Sequence, residues 1–233
     1  KVENNLSNIS FSLQKGQTLG VLGATGSGKT TLVNLLLRFY DADSGRVLIG
    51  GRDIRTLSRE ELRSRVGVVF QQDFLMADTI GDNIRYFRDI PQNDMEQAAR
   101  NAQAECFILD TKDGYDHQVA QKGNNLSGGQ RQRLMIARAL AGHPDLLILD
   151  DASSALDYRT DAALRKALGT DYKDVTKVII AQRISSLRHA DHILMLEDGH
   201  AAAYGTHGEL MAQSPHYREI AETQMGAEGG GHV

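Results

Sequence analysis

Gly23-Ala24-Thr25-Gly26-Ser27-Gly28-Lys29-Thr30 decides how this chain is read. The stretch fits G-x-x-x-x-G-K-[ST] at every fixed position, and its flanks supply the strand-loop-helix setting that the pattern requires. Upstream, Thr18-Leu19-Gly20-Val21-Leu22 reads as a buried strand. Downstream, Leu32, Leu35, Leu36 and Phe39 recur at helical spacing and predict a helix from Lys29 to Phe39. Glycines let a backbone wrap around a phosphate chain at dihedrals other residues resist, and the N–H groups of the loop and of the new helix face the anion. Lys29 is placed to neutralise the outer phosphates and the Thr30 hydroxyl to hold Mg2+. A glycine-rich turn that merely preceded a helix would not need the Lys-Thr pair at this offset.

The bulk properties set outer bounds. At 233 residues the chain is long enough for one large domain, or one domain with an insert. A net charge of -4 and a pI near 6.1 create no global field for nucleic acid or an anionic membrane. Cys106 is the only cysteine, which rules out an intrachain disulfide and agrees with a reducing compartment; on a helix it is expected to be a small buried apolar side chain. No run approaches the roughly 18 apolar residues of a membrane span and no signal peptide is evident, so the chain itself is expected to be soluble. Lys1 to Asn5 reads as the lead into a sheet already under way, and Gly226 to Val233 as a frayed glycine-rich tail.

In order along the chain, Ile9 to Leu13 alternates apolar and polar and predicts a half-buried strand. Arg46 to Gly50 and Asp53 to Arg55 predict short strands or a hairpin, Ser58 caps a short helix, and Val66 to Phe70 is a buried strand. That strand delivers Gln71-Gln72 at its carboxyl end, where ligands of open α/β sheets sit. A glutamine amide there can hold a metal or a water. Thr79 to Leu140 is almost wholly helical. Within it, Ser127-Gly128-Gly129-Gln130 opens a second anion-binding helix start, which a phosphate chain already wrapped by the cradle of the same subunit cannot also use; that geometry points to a second copy or a partner. Arg131, Arg133, Arg138 and the nearby Lys122 could form a nucleic-acid patch, but no aromatics interleave with them, and the ordinary reading is a solvated helix face. Leu146 to Asp151 is an apolar strand ending in two carboxylates, of which Asp150 would hold Mg2+ and Asp151 would face the attacking water. Asp157 closes a loop that caps the next helix. Val175 to Ala181 is a strand presenting Gln182 toward a γ-phosphate. Ile193 to Leu196 and Ala201 to Tyr204 form a hairpin, and two short helices, from Gly208 to Gln213 and from Pro215 to about Gln224, finish the fold.

With these elements in this order, the chain resembles the nucleotide-binding domain of an ABC transporter, over essentially its whole length. Gly81 to Tyr86 and Gly205 to Leu210 look like the exporter branch, the multidrug and lipid or peptide exporters in particular. The resemblance implies an α/β fold: a P-loop NTPase core, its sheet mostly parallel with an antiparallel β subdomain, plus an inserted α-helical signature subdomain. It implies one domain, with core residues 1–78 and 143–225 and a helical insert at about 79–142. ATP and Mg2+ are the implied ligands. Gly23, Thr25, Gly26, Ser27, Gly28, Lys29, Thr30 and Thr31 are expected to bind the nucleotide, together with Ser127, Gly128, Gly129, Gln130 and Asp157. Thr30, Gln71 and Asp150 are expected to hold the metal, and Asp151, Gln182 and Gln71 to serve catalysis. Head-to-tail dimers are implied, each ATP lying between one cradle and the partner's signature loop. A transmembrane domain contacted near Gln71 to Asp78, fused upstream, would hold the domain at the cytoplasmic face of the cell membrane; nucleic acid is not an expected partner.

Departures from the family pattern sharpen the expectation. The usual catalytic Glu after the strand aspartate is Asp151, one methylene shorter; losing a positioned base lowers rates by about 10²- to 10⁴-fold. The usual switch histidine is Gln182, which can donate a hydrogen bond but cannot become a cation. Asp116 to Gly123 replaces a more acidic segment that usually contacts transmembrane helices. The aromatic that stacks on adenine lies upstream of Lys1, which suggests a piece of a longer polypeptide. Paired changes at Asp151 and Gln182, with Ser127 to Gln130 intact, resemble the degenerate-site half of a heterodimeric exporter. The alternatives are a competent homodimer with Asp151 as base, and a non-transport ABC ATPase, which would want a coiled-coil insert or tandem cradles.

Overall fold

The computed structural model describes residues 6–229. Its elements run β1 (Thr18–Leu22), α1 (Lys29–Leu36), β2 (Leu48–Ile49), β3 (Arg52–Asp53), α2 (Arg59–Arg65), β4 (Val66–Val69), α3 (Ile80–Arg85), α4 (Gln92–Asn101), α5 (Glu105–Leu109) and α6 (Gly128–Leu140). There follow β5 (Leu146–Asp150), α7 (Tyr158–Thr170), β6 (Thr176–Ile180), α8 (Ile184–Leu187), β7 (His192–Glu197), β8 (His200–Gly205), α9 (His207–Gln213) and α10 (Pro215–Gly229). The fold is mixed α/β with a mostly parallel sheet. Helices begin where a small polar side chain can take an orphan N–H. The Glu61 N–H donates to Ser58 Oγ at 3.0 Å, that of Asp82 to Thr79 Oγ1 at 2.9 Å, and that of Thr160 to Asp157 Oδ1 at 3.0 Å.

The chain divides into two compact units, one of the residues up to Leu62 together with those from Thr176 onward, the other Arg63–Val175. In the first, β6, β1, β7 and β8 are neighbours in that order, parallel except for β8, which returns antiparallel from β7. The Asp198-Gly199 turn of that hairpin has positive φ at both residues, 45° and 77°, the geometry that matches strand twist in a two-residue loop. Leu19, Val21 and Leu194 are fully buried. In the second unit, β4 lies parallel to β5 and α6 packs on β4, α3 and α4. Gly67 permits the α6 contact, because a Cβ there would come within 2.3 Å of the Ala139 carbonyl oxygen. Leu134, Ile136, Leu140, Leu147 and Ile148 have no exposed surface.

Several expectations need correction. Ile9, Phe11 and Leu13 are half-buried and Ser10 and Ser12 exposed, as the alternation requires, yet residues 9–13 form no strand. Alternation decides which side is covered, whereas a strand also needs a neighbouring backbone in register. Here the ties are isolated ones, such as Ser7 N–H to Gly199 O at 2.8 Å and Tyr204 OH to Ser12 O at 3.5 Å. Helix α1 stops at Leu36, and Phe39 is 53% exposed, since helical spacing ceases to place side chains once Arg38 turns left-handed at φ 53°. Cys106 is exposed, because α5 turns Ile108 inward and its neighbours outward. Helix α10 continues to Gly229, past the point where fraying was expected. The lead at Lys1 to Asn5 and the last residues of the tail lie outside the described residues. Among the described residues no helix is long and apolar enough to cross a membrane.

Candidate functional site

The cradle follows β1 without a break. Gly28 is the N-cap of α1 at φ 105°, a left-handed conformation that suits a residue without a Cβ, and it offers no side-chain cap in place of a ligand. Gly23 is required by space: a Cβ there would lie 2.4 Å from Ser27 Oγ and 2.6 Å from the Leu196 carbonyl oxygen. The loop is closed by Ser27 N–H to Ala24 O at 3.2 Å and by Gly199 N–H to Ser27 O at 3.2 Å. Lys29 Nζ donates to the carbonyls of Gly23 at 2.6 Å and Ala24 at 2.7 Å, so the ammonium is drawn across the loop. Thr25, Gly26 and Thr30 are exposed on it, and Thr31 is half-buried. Ser27 is 5% exposed, and among the described residues its Oγ has no hydrogen-bond partner. A buried orphan hydroxyl inside a ring of backbone donors and one cation fits an oxyanion ligand.

In the same unit, strand register brings Gln182 to the cradle's edge of the sheet. Val21 pairs with Ile180 in parallel β1 and β6, so Gly23 and Gln182 each lie two residues past a matched pair. Gln182 is exposed. Its carbonyl accepts from Gln224 Nε2 at 3.0 Å.

The second unit holds the carboxylates and the signature. Val69 pairs with Leu149, which sets Gln71 and Asp150-Asp151 at one edge, past the carboxyl ends of β4 and β5. Gln71 is exposed, and Asp150 and Asp151 are half-buried. Asp151 takes a left-handed backbone, φ 52°, an uncommon conformation that short polar side chains tolerate best. Its carbonyl accepts the Ser154 N–H at 3.2 Å and the Ser154 hydroxyl at 2.9 Å.

Ser127 and Gln130 form a capping box on α6: Gln130 N–H donates to Ser127 Oγ at 3.2 Å, and Ser127 N–H to Gln130 Oε1 at 2.8 Å. Gly129 sits against the Ala155 carbonyl, 3.3 Å from where a Cβ would be, which brings the signature beside the loop that ends in Asp157. Hydrogen bonds from the Thr160 N–H and hydroxyl hold the Asp157 carboxyl below its usual range.

The arginines of α6 are not a solvated face. Arg131 donates to Leu126 O at 2.7 Å, and Arg133 donates to Gln103 O at 2.8 Å with its guanidinium 4.7 Å from the centre of the Phe107 ring. Arg138 is 7% exposed; it donates to Asn83 O at 3.0 Å, Phe74 O at 3.1 Å and Asn83 Oδ1 at 3.2 Å, and lies 4.5 Å from the Tyr86 ring centre. Asn83, itself fully buried, binds both the N–H and the carbonyl of Met76. Arg138 and Asn83 thereby tie α6 and α3 to the segment after Gln71. Sequence reasoning missed Asn83 and Gln224; for Arg138 the available signal was a lone cation inside the apolar run from Leu134 to Leu140.

A glycine-built phosphate cradle with Lys29 and Thr30 at the end of a parallel strand defines a P-loop nucleotide-binding domain. Residues 6–154 match the ABC transporter family, and the chain belongs to it. It is 45% identical over 222 residues to YknU, an uncharacterized ABC transporter ATP-binding protein of Bacillus subtilis. It is 41% identical over 220 residues to a candidate multidrug export ATP-binding/permease protein of Staphylococcus aureus. These matches cover 95% and 94% of this chain, and 38% of the length of either relative. Among solved structures, a bacterial Atm1-family ABC exporter with ATP bound superposes with a TM-score of 0.89 at 38% identity, over 95% of this chain and 39% of that one.

Proposed function

We propose that this chain is the ATP-binding domain of an exporter, that its own cradle holds ATP and turns it over slowly, and that its signature loop completes the competent site of a non-identical partner domain. The observation that carries this is a contrast. The cradle offers a full set of phosphate-binding groups with a buried hydroxyl awaiting a partner, while the hydrolytic positions carry a shortened carboxylate, Asp151, and an uncharged amide, Gln182.

Gly23 to Gly28 would surround the phosphates with N–H groups, Lys29 would turn from its loop carbonyls to the outer oxygens, and Thr31 and Thr25 would line the same loop. Mg2+ fits the donors present, because it favours one or two carboxylate or hydroxyl oxygens with nucleotide phosphates and water over an all-protein cage. Among the described residues no group of three or more His, Cys, Asp or Glu forms such a cage. Thr30, Asp150 and Gln71 would hold the ion, which when bound neutralises charge on the transferring phosphate. Asp151 would draw a proton from water across a longer gap than Glu would. Gln182 would donate to the γ-phosphate without adding charge. Ser127 to Gln130 and Asp157 would face the partner's nucleotide, in a head-to-tail pair. The export and permease roles named for the relatives support a transmembrane domain joined to this one, and hence a place at the cytoplasmic face of the cell membrane.

The test is steady-state ATPase of the full-length assembled transporter before and after Asp151→Glu with Gln182→His. Total turnover should rise by up to about twofold as a second site becomes competent, and with the partner's own site inactivated it should rise toward the roughly 10²- to 10⁴-fold that a positioned base supplies. No rise with ATP binding retained would sink the slow-site reading. A second reading, a homodimer with Asp151 as competent base, draws on the two Ser154 bonds that fix its backbone. Vigorous turnover by the unmodified full-length chain alone would favour it.

A further inference from the structure

We infer that Gln224 is a positioning residue for Gln182, so that the C-terminal helix sets how the switch position meets the outer phosphate; this rests on the role proposed above for Gln182. Helix α10 shows one face inward. Tyr217 and Ala221 are fully buried and share an apolar cluster with Leu22, Ala181, Ile184 and Leu187. Spacings of four and three from Tyr217 bring Gln224 onto that face, where continued packing would call for an apolar side chain. An amide stands there instead, and both of its ends are used. Gln224 Nε2 donates to Gln182 O at 3.0 Å, and Gln224 Oε1 accepts the Ile184 N–H at 2.7 Å.

The two bonds grip the backbone on either side of Arg183. The N–H of Ala181 still pairs with Val21 O, at 3.2 Å, where β6 meets β1. Immediately beyond, the chain must turn into α8, whose N-cap Arg183 makes no side-chain cap. Gln224 supplies that missing acceptor from another helix and fixes the peptide from which the Gln182 side chain projects. A hydrocarbon side chain could fill the space but would leave the Gln182 carbonyl and the Ile184 N–H without this partner.

The experiment uses the full-length protein with Gln224→Ala and Gln224→Glu, each alone and combined with Gln182→Ala. Glutamate keeps the acceptor for the Ile184 N–H but opposes the Gln182 carbonyl with a second acceptor. Amide exchange at Ile184 should speed up about fivefold in Gln224→Ala and stay slow in Gln224→Glu. Both variants should reduce the preference for ATP over ADP by about three- to tenfold with ADP affinity unchanged, and neither should change it further once Gln182 is Ala. Unchanged exchange at Ile184 in Gln224→Ala would show that the clamp does not form. An equal loss in the Gln182→Ala background, or a matching fall in ADP affinity, would reduce Gln224 to a packing residue. If the unmodified protein does not prefer ATP, the role of Gln182 fails and the inference fails with it, while exchange at Ile184 still reports the clamp separately.

Discussion

Arg138→Met should destabilise the unit Arg63–Val175 by about 2–4 kcal/mol, although methionine fills much the same volume. The side chain is 7% exposed and its guanidinium serves the carbonyls of Asn83 and Phe74 and the Asn83 amide oxygen. Asn83 Oδ1 retains the Met76 N–H, but two carbonyls lose their donor and the mostly buried Asp73 carboxylate, 3.4 Å from Arg138 Nη1, loses its counter-ion. A buried acceptor left without its donor costs about 1–3 kcal/mol, and the lost stacking on Tyr86 adds about 0.5–2 kcal/mol. Against this, burial lowers the Arg138 pKa below the usual arginine range, so removing the cation returns part of its desolvation penalty. Arg138→Lys keeps the charge but reaches fewer acceptors, and should fall between the two. Urea unfolding followed by circular dichroism would read the change as a shift in midpoint at constant slope. A loss below about 1 kcal/mol for the methionine variant would mean that water satisfies those carbonyls, and that Arg138 does not join α6 to the segment after Gln71.

Lys29→Ala should weaken ATP binding by roughly 10- to 100-fold in equilibrium titration, as expected for losing charge-assisted bonds to phosphate; unchanged affinity would remove the cradle assignment. His207 is half-buried, its Nδ1 2.8 Å from the Tyr217 hydroxyl, and burial with Arg188 and His189 nearby lowers its pKa from 6.5. The unfolded chain therefore binds the proton more readily, so the stability this site contributes is present above pH 6.5 and is lost as pH falls through the folded value. Melting temperature should drop more between pH 7 and 5 in the unmodified protein than in His207→Gln, and parallel curves would refute the assignment.

The elements around the cradle were legible in the sequence because each rests on local chemistry. The buried run Leu19-Gly20-Val21-Leu22 makes β1, Ser127 with Gln130 three residues later makes a capped start, and Asp198-Gly199 makes a tight hairpin. What escaped depends on distant partners. Residues 9–13 show the correct alternation but lack a neighbouring backbone in register, which no local pattern reveals. Arg138 reads as a surface charge until the carbonyls of Phe74 and Asn83, far away in sequence, are set around it. Gln224 resembles any polar residue near a chain end, and only the packing of α10 on α8 gives its amide something to hold. Asp151 was found as a departure from the family pattern, but its left-handed backbone appears only in three dimensions.

The capping box at Ser127 makes the signature preorganised. The Ser127 hydroxyl and the Gln130 amide satisfy each other's backbone N–H groups, which leaves the Gly128 and Gly129 N–H groups as the first-turn donors not taken up by the cap. Ordering a free loop on contact would cost about 1–2 kcal/mol for each residue fixed. Here that entropy is lost when the chain folds, so in the proposed head-to-tail pair a phosphate brought by another subunit would meet a shape already set, and more of the contact energy would remain to hold the two subunits together.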